Sequence, residues 1–320
     1  MRLPTLGPFV LTILVIAAGC IAPAGDTDDV ADHDRVSTSG GTMTGEESRV
    51  EDATLCTDGL NLGATDQRFC ATRTIKVDGT LSGFSTLDVS LQTFNGDVLV
   101  HDAPEGAWHL VATLKARGGS AEAAKAQLDA IDLTWSHTDA RGHFVEAIAR
   151  HEGDSSDLEA AFELQLPRSI LLTVVAGTSN GDVTLTDLRT AGLALATSNG
   201  DVVARADVQQ VSLTTSNGDV EAELRPTGDA RWTLSTSNGN VGLKVPEGPE
   251  TGYSFEGTTS NGEVTYTLKD GEKGPCPQGS EYYTPPCNHR TFETRGFKAR
   301  ETQVYATLTT SNGEVSAAPK

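Results

Sequence analysis

The sequence predicts an all-β fold: a repetitive β-solenoid, a single-stranded, β-helix-like stack, with one short inserted α-helix. Three observations predict it. The first is a turn written seven times, centred on Asn95, Asn180, Asn199, Asn217, Asn238, Asn261 and Asn312. Each copy has Thr two residues before Asn (Thr93, Thr178, Thr197, Thr215, Thr236, Thr259, Thr310). Each has Val three residues after it (Val98, Val183, Val202, Val220, Val241, Val264, Val315). In the densest stretch the copies recur every 18–23 residues, the signature of one supersecondary unit stacked on copies of itself. The second is strict period-two alternation on both sides of each turn, as in Leu172, Val174, Ala176 and Thr178, then Val183 and Leu185; this is the pattern of half-buried strands. The third is composition. Aromatic residues make up 5% of the 320 and Gly contributes 33 of them, which suits a narrow stacked core.

The elements follow in order. Residues 1–19 read as a signal peptide. Arg2 supplies a minimal positive region, and the apolar run Phe9 to Ala18 is shorter than the ~20 residues of a spanning helix. The segment ends Ala17-Ala18-Gly19-Cys20. It resembles the lipobox of bacterial lipoproteins, with Ala17 where Leu is usual, and the resemblance implies lipidation of Cys20. An ordinary signal peptide with a chance Cys is the alternative. Residues 20–55 are rich in Gly, Asp, Ser, Thr and Glu, without an apolar period. They read as a disordered tether, because such a stretch buries too little surface to offset its ordering entropy.

Residues 56–320 form the predicted solenoid domain. Cys56, Cys70, Cys276 and Cys287 are an even set, and export favours their oxidation. Of three connectivities, Cys56–Cys70 and Cys276–Cys287 close the shortest loops. A zinc site is the rival, but no Cys-x-x-Cys is present. A helical insertion near 119–131 is predicted from Ser120 as cap, Glu122 in the first turn, and Ala121, Ala124, Leu128 and Ile131 on one face. Strands at Ile131–Trp135 and His143–Ala149 follow. A second insertion near 269–300 reads as a disulfide-pinned loop at one corner.

Two architectures fit the strands. Asn-Gly with apolar flanks is the strongest short-range hairpin signal, so an array of antiparallel Asn-Gly hairpins is the alternative to the solenoid. In the solenoid the Asn-Gly turn is one corner of every rung. Gly96, Gly181, Gly200, Gly218, Gly239, Gly262 and Gly313 then mark a backbone requirement for positive φ, and the stacked Asn side chains form an amide ladder. The next residue is Asp97, Asp182, Asp201, Asp219, Asn240, Glu263 or Glu314. Stacked, these make an acidic row. Solvated turn residues are the default reading and a calcium row the alternative.

Composition excludes one function class. Lys and Arg total 24 against 44 Asp and Glu, a net charge of −20, so binding to a nucleic-acid backbone is disfavoured. Acidity is ordinarily a solubility device. No nucleophile elbow and no phosphate-binding Gly loop occurs. His137, His143 and His151 match no metal spacing. Trp232 alternates with Leu234 and Thr236 and reads as core, whereas Tyr282 and Tyr283 are the better surface candidates for ligand contact. No catalytic residue, metal ligand or cofactor is assigned.

The Thr-Ser-Asn-Gly-Asp-Val units, as at Thr178–Val183 and Thr215–Val220, resemble the putative adhesin family of bacterial envelope proteins. The lead-in Trp108–Ala116, the helix at Ser120–Ile131 and Leu166-Pro167-Arg168 extend the resemblance over about residues 85–320. It implies a β-solenoid-like fold at the cell envelope and brings no catalytic residues. The expected function is a lipid-anchored, non-enzymatic binding, adhesion or structural module. It would be exported and held on the envelope facing outside the cytoplasm, its partners the membrane through the anchor and an envelope glycan or protein. The alternatives are a polysaccharide-active enzyme on a β-helix and an envelope-stress accessory protein.

Overall fold

The Asn-Gly turns stack on one another. The structure, a computed structural model, describes residues 42–55, 68–83, 85–137, 144–153, 155–276 and 286–320. Parallel bridges join Asn95 to Asn180, Asn180 to Asn199, Asn199 to Asn217, Asn217 to Asn238 and Asn238 to Asn312. A hairpin pairs the strand before its turn with the strand after it. Here each strand pairs in parallel and in register with its own copy: Val183 with Val202, Val202 with Val220, Val220 with Val241, and Val241 with Val315. The fold is the solenoid, and the hairpin array is overturned by this register.

The chain begins with β1 (Thr42–Leu55), β2 (Phe69–Ser82), β3 (Thr86–Gln92), β4 (Val98–Ala103) and β5 (Ala107–Gly118), then α1 (Ala121–Leu128). It continues through β6 (Ile131–Ser136), β7 (Phe144–His151), β8 (Leu158–Pro167) and β9 (Leu171–Gly177). The central rungs are β10 (Val183–Ala196), β11 (Val202–Thr214) and β12 (Val220–Ser235), followed by β13 (Val241–Val245). The last elements are β14 (Thr251–Asn261), β15 (Val264–Tyr266), β16 (Gly271–Lys273), β17 (His289–Thr294), a 3-10 turn at Phe297–Ala299, β18 (Thr302–Asn312) and β19 (Val315–Pro319).

These strands build two walls. The leading wall holds the strands that enter the turns, in the spatial order β6, β7, β3, β9, β10, β11, β12, β18, β14, β17, β16. The trailing wall holds those that leave them: β1, β2, β5, β8, β4, β10, β11, β12, β13, β19, β15. β10, β11 and β12 belong to both because each bends around the far corner. Val, Leu and Ala fill the central core, with Trp232 at 1% exposure among them. The larger rings lie toward the ends: Trp108 and Phe162 at one, Tyr253, Phe255, Tyr266 and Phe292 at the other.

The rungs do not stack in chain order. The rung of Asn95 (β3 and β4) is covered on one side by β7 and β8, which come later in sequence, and on the other by the rung of Asn180. At the opposite end the rung of Asn312 (β18 and β19) is wedged between those of Asn238 and Asn261. β7 and β8 thus form a rung without an Asn-Gly, and the turn motif cannot reveal it. Antiparallel strands close both ends: β6 on β7, β5 on β8, and β17 on β14.

Several expectations are corrected. Residues 42–55, read as part of the tether, form β1, paired with β2 along its whole length. The backbone ladder holds this strand together with hydrogen bonds that Glu51 accepts from Arg73 and Glu47 from Trp135, and Glu47 to Asp52 are all exposed. The segment 269–300 is not only a loop, since β16 and β17 extend the leading wall. A helix forms in the expected segment but is shorter: the Ser120 hydroxyl accepts from Ala123 N–H at 3.1 Å, Ala124 and Leu128 are buried, and Ile131, expected on the helix face, opens β6. Cys276 and Cys287 are bonded, and Cys70 is also in a disulfide. Cys20, Cys56, Tyr282, Tyr283 and the signal segment lie outside the described residues.

Candidate functional site

The turn row is built from side chains that bond to their own copies. Asn199 donates to Asn180 at 2.7 Å, Asn217 to Asn199 at 2.8 Å and Asn238 to Asn217 at 2.9 Å. Asn312 donates to Asn238 and Asn261 to Asn312, both at 2.8 Å. The ladder ends where Asn95 donates to the carbonyls of Ser155 and Leu158. Beneath it runs a second ladder. The buried hydroxyls of Thr197, Thr215, Thr236, Thr310 and Thr259 each donate to the turn Gly carbonyl of the neighbouring rung at 2.9 Å.

The glycines answer two demands. At Gly218 φ is +144°, and a Cβ would lie 2.1 Å from the Gly200 carbonyl oxygen. Gly262 departs from the expected positive φ, yet its Cβ would still meet the Gly313 carbonyl oxygen at 1.8 Å. Close approach of rungs is therefore the common requirement.

The acidic row is structural too. Asp97 accepts the backbone N–H of Asp182, Asp182 that of Asp201, Asp201 that of Asp219, and Asp219 that of Asn240, at 2.7–2.9 Å. A short acceptor side chain satisfies an N–H that the turn leaves without a ladder partner. Among the described residues no group of three or more His, Cys, Asp or Glu is placed to hold a metal ion. His137 packs against the rings of Trp108 and Trp135, both at 5.8 Å, and His151 against Phe94 at 4.4 Å. His143 lies outside the described residues.

The outer faces of the two walls differ. On the trailing wall opposite charges sit on adjacent strands: Arg205 opposite Glu223, Glu223 opposite Lys244, Asp207 opposite Arg225. The Arg225–Asp207 pair closes at 2.7 Å. The His101 ring lies 3.0 Å from Glu163, and hydrogen bonds from His101 and then Gln165 hold the Glu163 carboxyl below its usual range. Lys320 does the same for Glu223. On the leading wall two rows cross the stack. One runs Ser90, Val175, Ala194, Ser212, Thr233, Thr307; the other runs Gln92, Gly177, Ala196, Thr214, Ser235, Thr309, Thr258. All point outward, and none carries a charge.

At the C-terminal end of this neutral face stands Tyr305, 45% exposed. The Phe297 ring meets it edge-on at 5.1 Å, and the Arg231 guanidinium lies 5.7 Å from its centre. A shallow groove of about 360 Å³ opens beside it, lined by Ser254, Glu256, Thr291, Glu293, Tyr305 and Thr307. A smaller one of about 220 Å³ lies among the charged residues of the trailing wall. Sequence reasoning overlooked Tyr305. The signal was present, because the alternation that buries Val304, Ala306 and Leu308 turns Tyr305 outward.

Comparison with known proteins gives a family and distant likenesses. No curated protein sequence matches the chain. A putative cell adhesion protein from Clostridium sporogenes is 8% identical, with 85% of this chain and 100% of that one covered, at a TM-score of 0.39. A putative adhesin from Bacteroides fragilis is 10% identical, with 77% and 97% covered, at 0.27. Both scores are too low to bear on function. Residues 86–272, more than half of the sequence and spanning β3 to β16, match the Toastrack DUF4097 family: the chain belongs to that family.

Proposed function

We propose that this protein is a non-enzymatic binding module of the cell envelope, held by a lipid on Cys20, that meets its ligand with the outer face of the leading wall. The uncharged double row from Ser90 to Thr307 and from Gln92 to Thr258 carries this reading. On a chain with net charge −20, two adjacent rows free of charge are where close contact with a large surface costs least desolvation. Over Ser212, Thr233 and Thr307 in one row and Thr214, Ser235, Thr309 and Thr258 in the other, hydroxyls recur about 4.8 Å apart from rung to rung, so affinity arises from many weak contacts rather than from a deep pocket. The lipobox-like Ala17-Ala18-Gly19-Cys20 supports anchoring and an outward-facing location.

The test is retention on envelope material purified from the producing cells. Full-length protein carrying Thr233→Glu and Thr309→Glu on the leading wall is expected to lose retention. Protein carrying Thr184→Glu and Ser316→Glu on the trailing wall is expected to keep it. Equal retention of both variants overturns the reading of the face. Recovery of the wild type in the soluble fraction, as for Cys20→Ser, overturns the anchor.

A further inference from the structure

We propose that the groove beside Tyr305 is a subsite for a neutral polysaccharide chain, with the Tyr305 ring as its stacking platform; the proposal rests on the binding-module reading above. The ring projects from the middle of β18, where the parallel ladders to β12 and β14 fix the backbone on both sides. Phe297 and Arg231 hold the ring against it, so little side-chain entropy remains to be lost on binding. A pinned, half-exposed aromatic offers an apolar face with a polar tip, which is what the C–H face of a sugar ring meets.

The rest of the lining completes the chemistry. Glu256 and Glu293 supply acceptors for sugar hydroxyls, and charge-assisted hydrogen bonds of this kind are the stronger ones. Ser254, Thr291 and Thr307 both donate and accept. A volume of about 360 Å³ lies at the lower end of ligand clefts, ~300–1,000 Å³, and the groove is open rather than enclosed. An open groove accepts a chain that continues past it. The neutral face provides the path: Thr307 is in register with Thr233, and Thr233 with Ser212. Charge selects the class of glycan. With two carboxylates in the groove against the one guanidinium, Arg231, at the Tyr305 ring, the subsite is net negative, so a polyanionic glycan is repelled and a neutral one is not.

Affinity electrophoresis of the full chain tests this, with soluble xylan, dextran and hydroxyethyl cellulose as neutral probes and polygalacturonate as the anionic one. Retardation by at least one neutral polymer and not by polygalacturonate is expected. Tyr305→Ala should weaken the apparent Kd about tenfold, and Tyr305→Phe should leave it nearly unchanged. Glu256→Gln, which leaves the ring in place, should weaken it by a smaller factor. Retardation by no neutral polymer, or retardation unchanged in Tyr305→Ala, overturns the subsite. If the leading-wall Glu variants still lose envelope retention in that case, the binding module stands and only its ligand class falls. Release of reducing ends from any retarding polymer overturns the non-enzymatic reading instead.

Discussion

The two corners of the solenoid wrap the same core by different means. At the Asn-Gly corner, Asn, Thr and Asp side chains bond to the equivalent residues and turn carbonyls of the adjacent rung. At the far corner the chain bends differently each time. β10 shifts register between Thr186 and Leu188 and again between Thr190 and Gly192. Between the pairs Val208–Pro226 and Gln210–Arg231, β11 spends the single residue Gln209, whereas β12 spends Thr227 through Ala230. A corner held by contacts between copies must repeat its sequence, because each side chain is both partner and template. A corner with no side-chain ladder running from copy to copy, where contacts such as the Gln303 N–H to Asp229 bond occur singly, is free to vary in length.

Gly218→Ala should break the repeating corner most severely. It places a Cβ at a φ that L-residues rarely adopt, and 2.1 Å from a carbonyl oxygen whose strand cannot retreat. Two penalties of ~1–3 kcal/mol each combine, one from backbone strain and one from overpacking, for a loss of about 3 kcal/mol. Thermal unfolding followed by circular dichroism would show it, and a melting temperature equal to wild type would end the claim that rung contact dictates Gly. The value exceeds the ~1 kcal/mol that positive φ alone suggests, because the contact with the neighbouring rung is added.

Thr215→Val should have a smaller effect at the same corner. The side chain is buried, and its hydroxyl donates to the Gly200 carbonyl at 2.9 Å. Val keeps the shape and removes the donor, which costs ~1–2 kcal/mol. Thr215→Ser keeps the donor and should recover part of that loss in chemical denaturation. If Ser and Val prove equally destabilising, the hydroxyl is not what fixes Thr at this position.

The same contrast explains what the sequence made legible. The Asn-Gly corner was readable because its chemistry is written into identical residues, and alternation around it placed Trp232, Val220 and Leu224 in the core. The order of the rungs was not readable, for a related reason. Any copy of Thr-x-Asn-Gly presents the same donors and acceptors, so Asn238 can take Asn312 as readily as Asn261, and nothing local marks which neighbour it has. The rung of β7 and β8 was hidden because its hydrogen bonds to Asn95 come from the main-chain carbonyls of Ser155 and Leu158, which any residue supplies. Likewise β1 carries no apolar period because its backbone ladder and the polar contacts of Glu47 with Trp135 and Glu51 with Arg73 join it to the rest of the fold.

The far corner supplies the smallest expected effect and the sharpest control. Gly192 lies where β10 changes register against β9. Its φ is outside the left-handed range, and a Cβ there would meet the Thr173 methyl at 3.6 Å, ordinary contact distance. No neighbouring Gly is required and no side-chain ladder passes through the position. Gly192→Ala therefore leaves the folded state unstrained while removing freedom from the unfolded chain, and stability should stay level or rise by up to ~0.5–1 kcal/mol. The measurement is the same thermal and denaturant unfolding used for Gly218→Ala. A loss as large as that of Gly218→Ala would mean that the far corner is held as tightly as the repeating one. The freedom of its length would then need an explanation other than the absence of a side-chain ladder.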